Sequence, residues 1–255
     1  MRIIQRIFAS LRYHRVAAII LGVMMTLFLL FSLSTLIIRD FQQVALNLFE
    51  SRLNLIDLPR KTLKQLPALQ QLSQIRSGLV KTTGQIFVHS LLVFGIVVFI
   101  INTVSLLKRR SELIAYKIAG KGSALVSWQI ALENVFLYLL FYLGVVLVLI
   151  CFQGTYLKVL EKINQTVFQQ QLPATLKTLQ QHITNQQLDQ IFKNQITAFN
   201  GHNLLFGDTI ASQRTLADYD RYLLALLWRG CLIVFSASYL PALCYNWYLN
   251  RKVFR

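Results

Sequence analysis

The sequence predicts an all-α membrane protein with four transmembrane helices and helical extracytoplasmic loops. Three observations predict it. The 255 residues are 55% hydrophobic and only 14% charged, with a mean hydropathy of +0.51. A soluble domain carries about 25% charged residues, so this surface must meet lipid over much of its area. Second, four apolar runs are each long enough to cross a hydrocarbon core of ~30 Å, which takes about 20 residues in a helix. Lipid offers the backbone no hydrogen-bond partners, so such runs must be helical. Third, the short segments at the chain ends and between runs two and three are dense in Lys and Arg, as the segments left on the cytoplasmic side of a membrane are.

The elements follow in order. Residues 1–15 carry Arg2, Arg6, Arg12 and Arg15, alternating with Ile3, Ile4, Ile7, Phe8 and Leu11. That pattern suits either a short interfacial helix reaching anionic headgroups or a plain basic flank. Residues 16–38 form the first span. Its apolar stretch exceeds the roughly 7–15 residues of a signal peptide and no clean cleavage site follows, which predicts an uncleaved anchor. Residues 39–85 form the first outer loop, with Phe41, Val44, Leu48 and then Leu63 to Leu79 at three- and four-residue spacing, interrupted by Pro59 and Pro67. The spacing is helical, and the residue before each proline favours extended backbone. A helical hairpin that prolongs the first two spans is the simplest reading.

Residues 86–107 form an uncharged second span, 108–127 a basic inner loop, and 128–152 the third span with Glu133 near its start. Residues 153–221 form a longer outer loop that reads as helix, break at Leu172-Pro173, helix. Its Gln pairs and triplets suit solvated helix faces, and Asn200-Gly201-His202-Asn203 and Gly207-Asp208 are turn chemistry. Residues 222–249 form the fourth span, carrying Arg229 and Pro241, and 250–255 a basic tail. With four spans, both termini fall on the cytoplasmic side with the inner loop. The first outer loop also holds Lys and Arg, but these are diluted along its length and mixed with Asp40, Glu50 and Asp57.

The inner loop is the most informative segment. It reads Lys108-Arg109-Arg110-Ser111-Glu112-Leu113-Ile114-Ala115-Tyr116-Lys117-Ile118-Ala119-Gly120. Ser111 is placed to cap a short helix, Glu112 to oppose the helix dipole in its first turn, and Gly120 to end it with positive φ. Leu113, Ile114, Lys117 and Ile118 would supply a docking face. Glu112 and Gly120 lie eight residues apart, and Glu133 follows thirteen residues after Gly120. This register, over residues 86–150, resembles the signature of FtsX/MacB-like (type VII) ABC transporter permeases. The resemblance implies a coupling helix for a separate cytoplasmic ABC ATPase, with Arg110, Glu112, Leu113, Lys117 and Gly120 in the contact. It also implies a second permease copy or paralogue in a dimer, and a multi-pass location in the cell membrane. The outer loops differ from both namesakes of the family, which concentrate their outer mass between spans one and two.

The implied function is export or extraction of an amphipathic peptide or lipid-like substrate, with ATP bound by the partner and no cofactor in this chain. The alternative is an FtsX-like mechanotransmission subunit that activates an extracellular cell-wall hydrolase. Gly120-Lys121-Gly122-Ser123 lacks the first glycine of a phosphate-binding loop and follows no strand. The net charge of +16 flanks membrane spans, which assigns it to lipid rather than nucleic acid. No catalytic or metal-ligating constellation is present: His14, His89, His182 and His202 are scattered, and Cys151, Cys231 and Cys244 all fall in spans. Two charges lie in or at the edge of spans. Glu133 is expected to pair with a basic residue of the inner loop or tail. Arg229 is expected to snorkel outward or to meet substrate, Asp218 or Asp220.

Overall fold

A computed structural model describes residues 15–55, 67–172 and 215–253; for 52–55, 67–70 and 250–253 it describes the backbone alone. The described residues form α1 (Arg15–Leu55), α2 (Pro67–Lys108), α3 (Arg110–Ile118), α4 (Ser123–Cys151), α5 (Gln153–Gln171), a 3-10 turn (Leu216–Tyr219) and α6 (Asp220–Val253), with no strand among them. Four helices are long and apolar enough to cross a membrane: those containing Arg15–Ser51, Gln71–Lys108, Ser123–Cys151 and Leu216–Leu249.

Length separates two kinds of helix. At about 1.5 Å per residue, the 41 residues of α1 reach about 62 Å, roughly twice a ~30 Å hydrocarbon core. The 42 residues of α2 do the same. Neither breaks where its apolar run meets polar sequence. Pro67 opens α2, the first-turn position where its missing N–H costs nothing. α5 ends at Leu172, whose φ of −70° and ψ of 127° are extended, as the residue before Pro173 requires. The second helical stretch expected after Pro173, the turn chemistry at 200–208, Pro59 and the N-terminal basic segment lie outside the described residues.

The chain divides into two compact units, one of residues 1–33, 87–151 and 220–255, the other of 34–86 and 152–219. In the first, apolar contacts alone cannot distinguish protein from lipid, so close fits and polar bonds fix the packing. Phe28 and Phe94 stack at 3.8 Å between α1 and α2. Tyr138 is fully buried and its hydroxyl donates to the Leu226 carbonyl at 3.0 Å. Its ring lies so close to Gly230 that a Cβ there would sit 1.9 Å from Oη. Many outward residues are apolar, including Val23, Leu92, Leu147 and Leu232, each about half or more exposed, as a lipid-facing surface demands.

In the second unit, Arg76 is buried between the rings of Phe49 and Phe168, with its guanidinium carbon 5.5 and 5.1 Å from their centroids, and donates to the Ala45 carbonyl at 2.7 Å. The Thr83 hydroxyl lies 2.8 Å from Gln42 Oε1. Ser34 and Tyr156 share a hydroxyl–hydroxyl bond of 2.9 Å, and Phe41 meets Tyr219 edge to face.

Candidate functional site

α3 links α2 and α4 and carries most of the residues singled out in the sequence. Its N-cap falls two residues earlier than expected. Arg109 occupies the N-cap and makes no side-chain cap, which corrects the assignment of Ser111: the hydroxyl falls inside the first turn, and Arg109 N–H still bonds Ser105 and Leu106 carbonyls of the preceding helix. The junction is a near-continuation of α2, so no cap is needed. Glu112 does sit in the first turn.

The far end is a Schellman closure. Gly120 has φ of +74°, its N–H donates to Lys117 O at 2.9 Å, and Lys121 N–H reaches back to Tyr116 O at 3.1 Å. Those two bonds satisfy carbonyls that the helix end leaves open. A Cβ at Gly120 would meet nothing within 4 Å, so only the backbone conformation calls for glycine.

The proposed docking face splits in two. Leu113 and Lys117 are buried, at 2% and 8% exposure. Leu113 joins an apolar cluster with Leu106, Val126, Ala242 and Leu249. Lys117 Nζ donates to the Asn246 backbone carbonyl at 2.6 Å, and burial pushes its pKa down from the usual lysine value. Neither side chain is free to form an outward surface. Ser111, Ala115 and Ile118 are exposed and fall at i, i+4 and i+7, one face of a helix. Ile118 is 80% exposed. Arg110 and Gly120 are exposed too, while Ile114 and Glu112 are half-buried.

Around this helix runs a chain of polar contacts. Asn246 Nδ2 donates to Ser127 Oγ at 3.0 Å, and Ser127 donates to Ser123 O. α3 is thereby joined to both α4 and α6. Arg109 Nη1 meets Glu133 Oε2 at 3.2 Å, with the two side chains 15% and 9% exposed. Glu133 therefore pairs with a basic residue of the 108–127 loop, as expected. At the next residue of α4, Asn134 Nδ2 donates to Asn102 Oδ1 at 2.8 Å and to Ser238 Oγ at 3.0 Å. Asn102 Nδ2 donates to Ser238 Oγ at 2.8 Å, and Ser238 donates to Val234 O. This triad ties α2, α4 and α6 together.

Arg229 lies elsewhere in the same unit. It is exposed, with its guanidinium carbon 5.7 Å from the Phe87 centroid. Asp218 and Asp220 make local bonds instead, to Thr215 and to Arg221 N–H. The cysteines are free thiols, and no metal-holding group of side chains occurs among the described residues.

Sequence reasoning passed over Asn102, Asn134, Ser127, Ser238 and Asn246, and named Arg109 only as one of several basic residues of the inner loop. The signal was present: asparagine within an apolar span is costly unless bonded, and three fall in or beside spans. Compared with known proteins, the chain matches no family model, no curated protein and no solved structure.

Proposed function

We propose that this chain is a permease subunit of an FtsX/MacB-like ABC system, in which a separate cytoplasmic ATPase drives export or extraction of an amphipathic peptide or lipid-like substrate. The observation that carries the reading is the two-sided build of α3. One side is held by Leu113 and Lys117, the other presents Ser111, Ala115 and Ile118. A helix that transmits force needs both: a rigid attachment to the spans and an apolar contact for the protein that moves it. Motion of α3 would reach α6 through the Lys117–Asn246 bond and α4 through Ser127.

In this reading both termini and α3 are cytoplasmic and the 39–85 and 153–221 segments are extracytoplasmic. Four spans are few for a translocation path, so two permease subunits act together. A second reading, mechanotransmission to an extracellular cell-wall hydrolase, draws on the second compact unit, whose described residues (34–55, 67–86, 152–172 and 215–219) are largely helical and would offer a surface for such a partner.

The test is co-purification from detergent-solubilised host membranes, wild type against Ala115→Arg/Ile118→Arg. Both positions are exposed, so the fold tolerates the change. An ATPase with nucleotide-binding motifs is expected with the wild type and not with the variant, while both elute identically from a sizing column. If intact wild type brings down no ATPase, the ABC reading fails.

A further inference from the structure

α2 and α6 flank a shallow, open apolar groove of about 570 Å³ on the outward face of the first unit, lined by Val88, Leu92, Phe99, Leu232, Ser236 and Leu240 among others. Its walls run from Val88 to Phe99 on one helix, about 16 Å at about 1.5 Å per residue. That is close to half of a ~30 Å hydrocarbon core, the depth of one leaflet.

One turn beyond the lining residues, past the Val88 and Leu232 end of the groove, α6 carries a cation, Arg229. Arg229 precedes Leu232 and Ile233 by about one helical turn and lies over Phe87, the neighbour of Val88. Phe87 is 3% exposed, so it is a fixed platform. No carboxylate among the described residues lies in ion-pair range of Arg229. Its depth follows from the aromatic residues of α6. Trp228 is 68% exposed, and Trp247 and Tyr248 are more than half exposed. Tryptophans are enriched at the headgroup level on each side of a bilayer; Trp128, 52% exposed, instead packs on Phe235 and Tyr239 between the levels of Trp228 and Trp247. Trp228 and Trp247 are nineteen residues apart, about 28 Å along a helix, which matches the hydrocarbon thickness. Arg229 therefore sits at headgroup level, and the groove descends from it into the acyl region.

We propose that this groove is a specific site for an anionic phospholipid, with an acyl chain between α2 and α6 and the headgroup phosphate on Arg229. A guanidinium presents paired donors that match phosphate oxygens, and among the described residues no acid pairs with it. A transmembrane helix of a second copy would need a groove continuing through both leaflets; this one is a single leaflet deep. The site stands apart from the ATPase reading, since no part of it uses α3.

The test uses the full chain in phosphatidylcholine vesicles, with Trp228 as the single tryptophan after Trp128→Phe and Trp247→Phe. Quenching by brominated phosphatidylglycerol is compared with quenching by brominated phosphatidylcholine. The expected preference for the anionic lipid is about fivefold, the usual effect of one basic group at a membrane surface. Arg229→Gln should abolish it, Ser236→Phe should fill the groove and reduce it, and Arg221→Gln should leave it unchanged. Native mass spectrometry of the chain with all three tryptophans, scoring retained phosphatidylglycerol for wild type and Arg229→Gln, gives a second readout free of the tryptophan changes. An undiminished preference in Arg229→Gln overturns the site. So does a change of oligomeric state in Ser236→Phe with lipid preference intact, which would make the groove a contact between copies.

Discussion

Gly230→Ala probes the tightest fit of the membrane unit. A Cβ at Gly230 would stand 1.9 Å from Tyr138 Oη, 2.3 Å from Cζ and 2.9 Å from Cε1. Ordinary contact between heavy atoms is about 3.5–4.0 Å, so the ring must retreat by about 1.5 Å. Tyr138 is fully buried and its hydroxyl is committed to Leu226 O at 3.0 Å. Two costs follow: overpacking of about 1–3 kcal/mol, and loss of a membrane hydrogen bond of about 0.6–1.7 kcal/mol. Replacing glycine in a helix returns about 1 kcal/mol. The net expectation is a loss of about 2 kcal/mol. Steric-trapping or reversible detergent unfolding in bicelles measures it. Gly144→Ala is the control, because nothing lies within 4 Å of a Cβ there, and it should be neutral or stabilising. The cycle with Tyr138→Phe should show coupling of about 1 kcal/mol, since the hydroxyl's bond is already lost in Gly230→Ala. A Gly230→Ala protein within about 0.5 kcal/mol of wild type, or strict additivity with Tyr138→Phe, would refute the packing argument.

Other substitutions test the polar framework. Glu133→Gln leaves Arg109 largely buried with no carboxylate opposite it, and should cost about 3 kcal/mol, measured by the same unfolding assay; adding Arg109→Gln should recover part of the loss. Asn102→Leu removes partners of both Asn134 and Ser238 and should cost about 1 kcal/mol, and Ser238→Ala should then cost less than it does in wild type. Gly120→Ala forces a side chain into φ of +74° and should lose about 1 kcal/mol, seen as faster proteolysis within the α3–α4 connection. Burial lowers the Lys117 pKa, so the unfolded chain holds that proton over a range where the folded chain has released it. Stability should therefore rise with pH from the lowered value toward the ordinary lysine range, and Lys117→Met should flatten that part of the profile.

Much of the architecture was legible because lipid imposes a one-dimensional rule. A bilayer demands runs of apolar residues of set length, and the runs ending at residues 38, 107, 152 and 249 stand out in the sequence. The closure of α3 was legible for a similar local reason: Gly120 is the residue that accepts positive φ at no steric cost, and its conformation follows from that chemistry alone. The helix start was not, because the Arg109 junction with α2 removed the need for the cap that Ser111 could have supplied.

Which face of a helix looks where is a different kind of question, and the tertiary structure alone decided it. Leu113, Lys117 and Ile118 look alike as candidates for a docking surface in the sequence, yet two are buried and one is 80% exposed. In a membrane the apolar signal is the same on the lipid side and the protein side, so periodicity cannot separate them. The choice falls to particular fits and bonds: Tyr138 against Gly230, Asn102 and Asn134 on Ser238, Lys117 on the Asn246 carbonyl. These join residues up to 136 positions apart, and no local pattern encodes such partners. The sequence determined that four helices are long and apolar enough to cross a membrane and where the short basic helix lies between them; the packing of those helices determined which of its side chains hold it in place and which are left to meet something else.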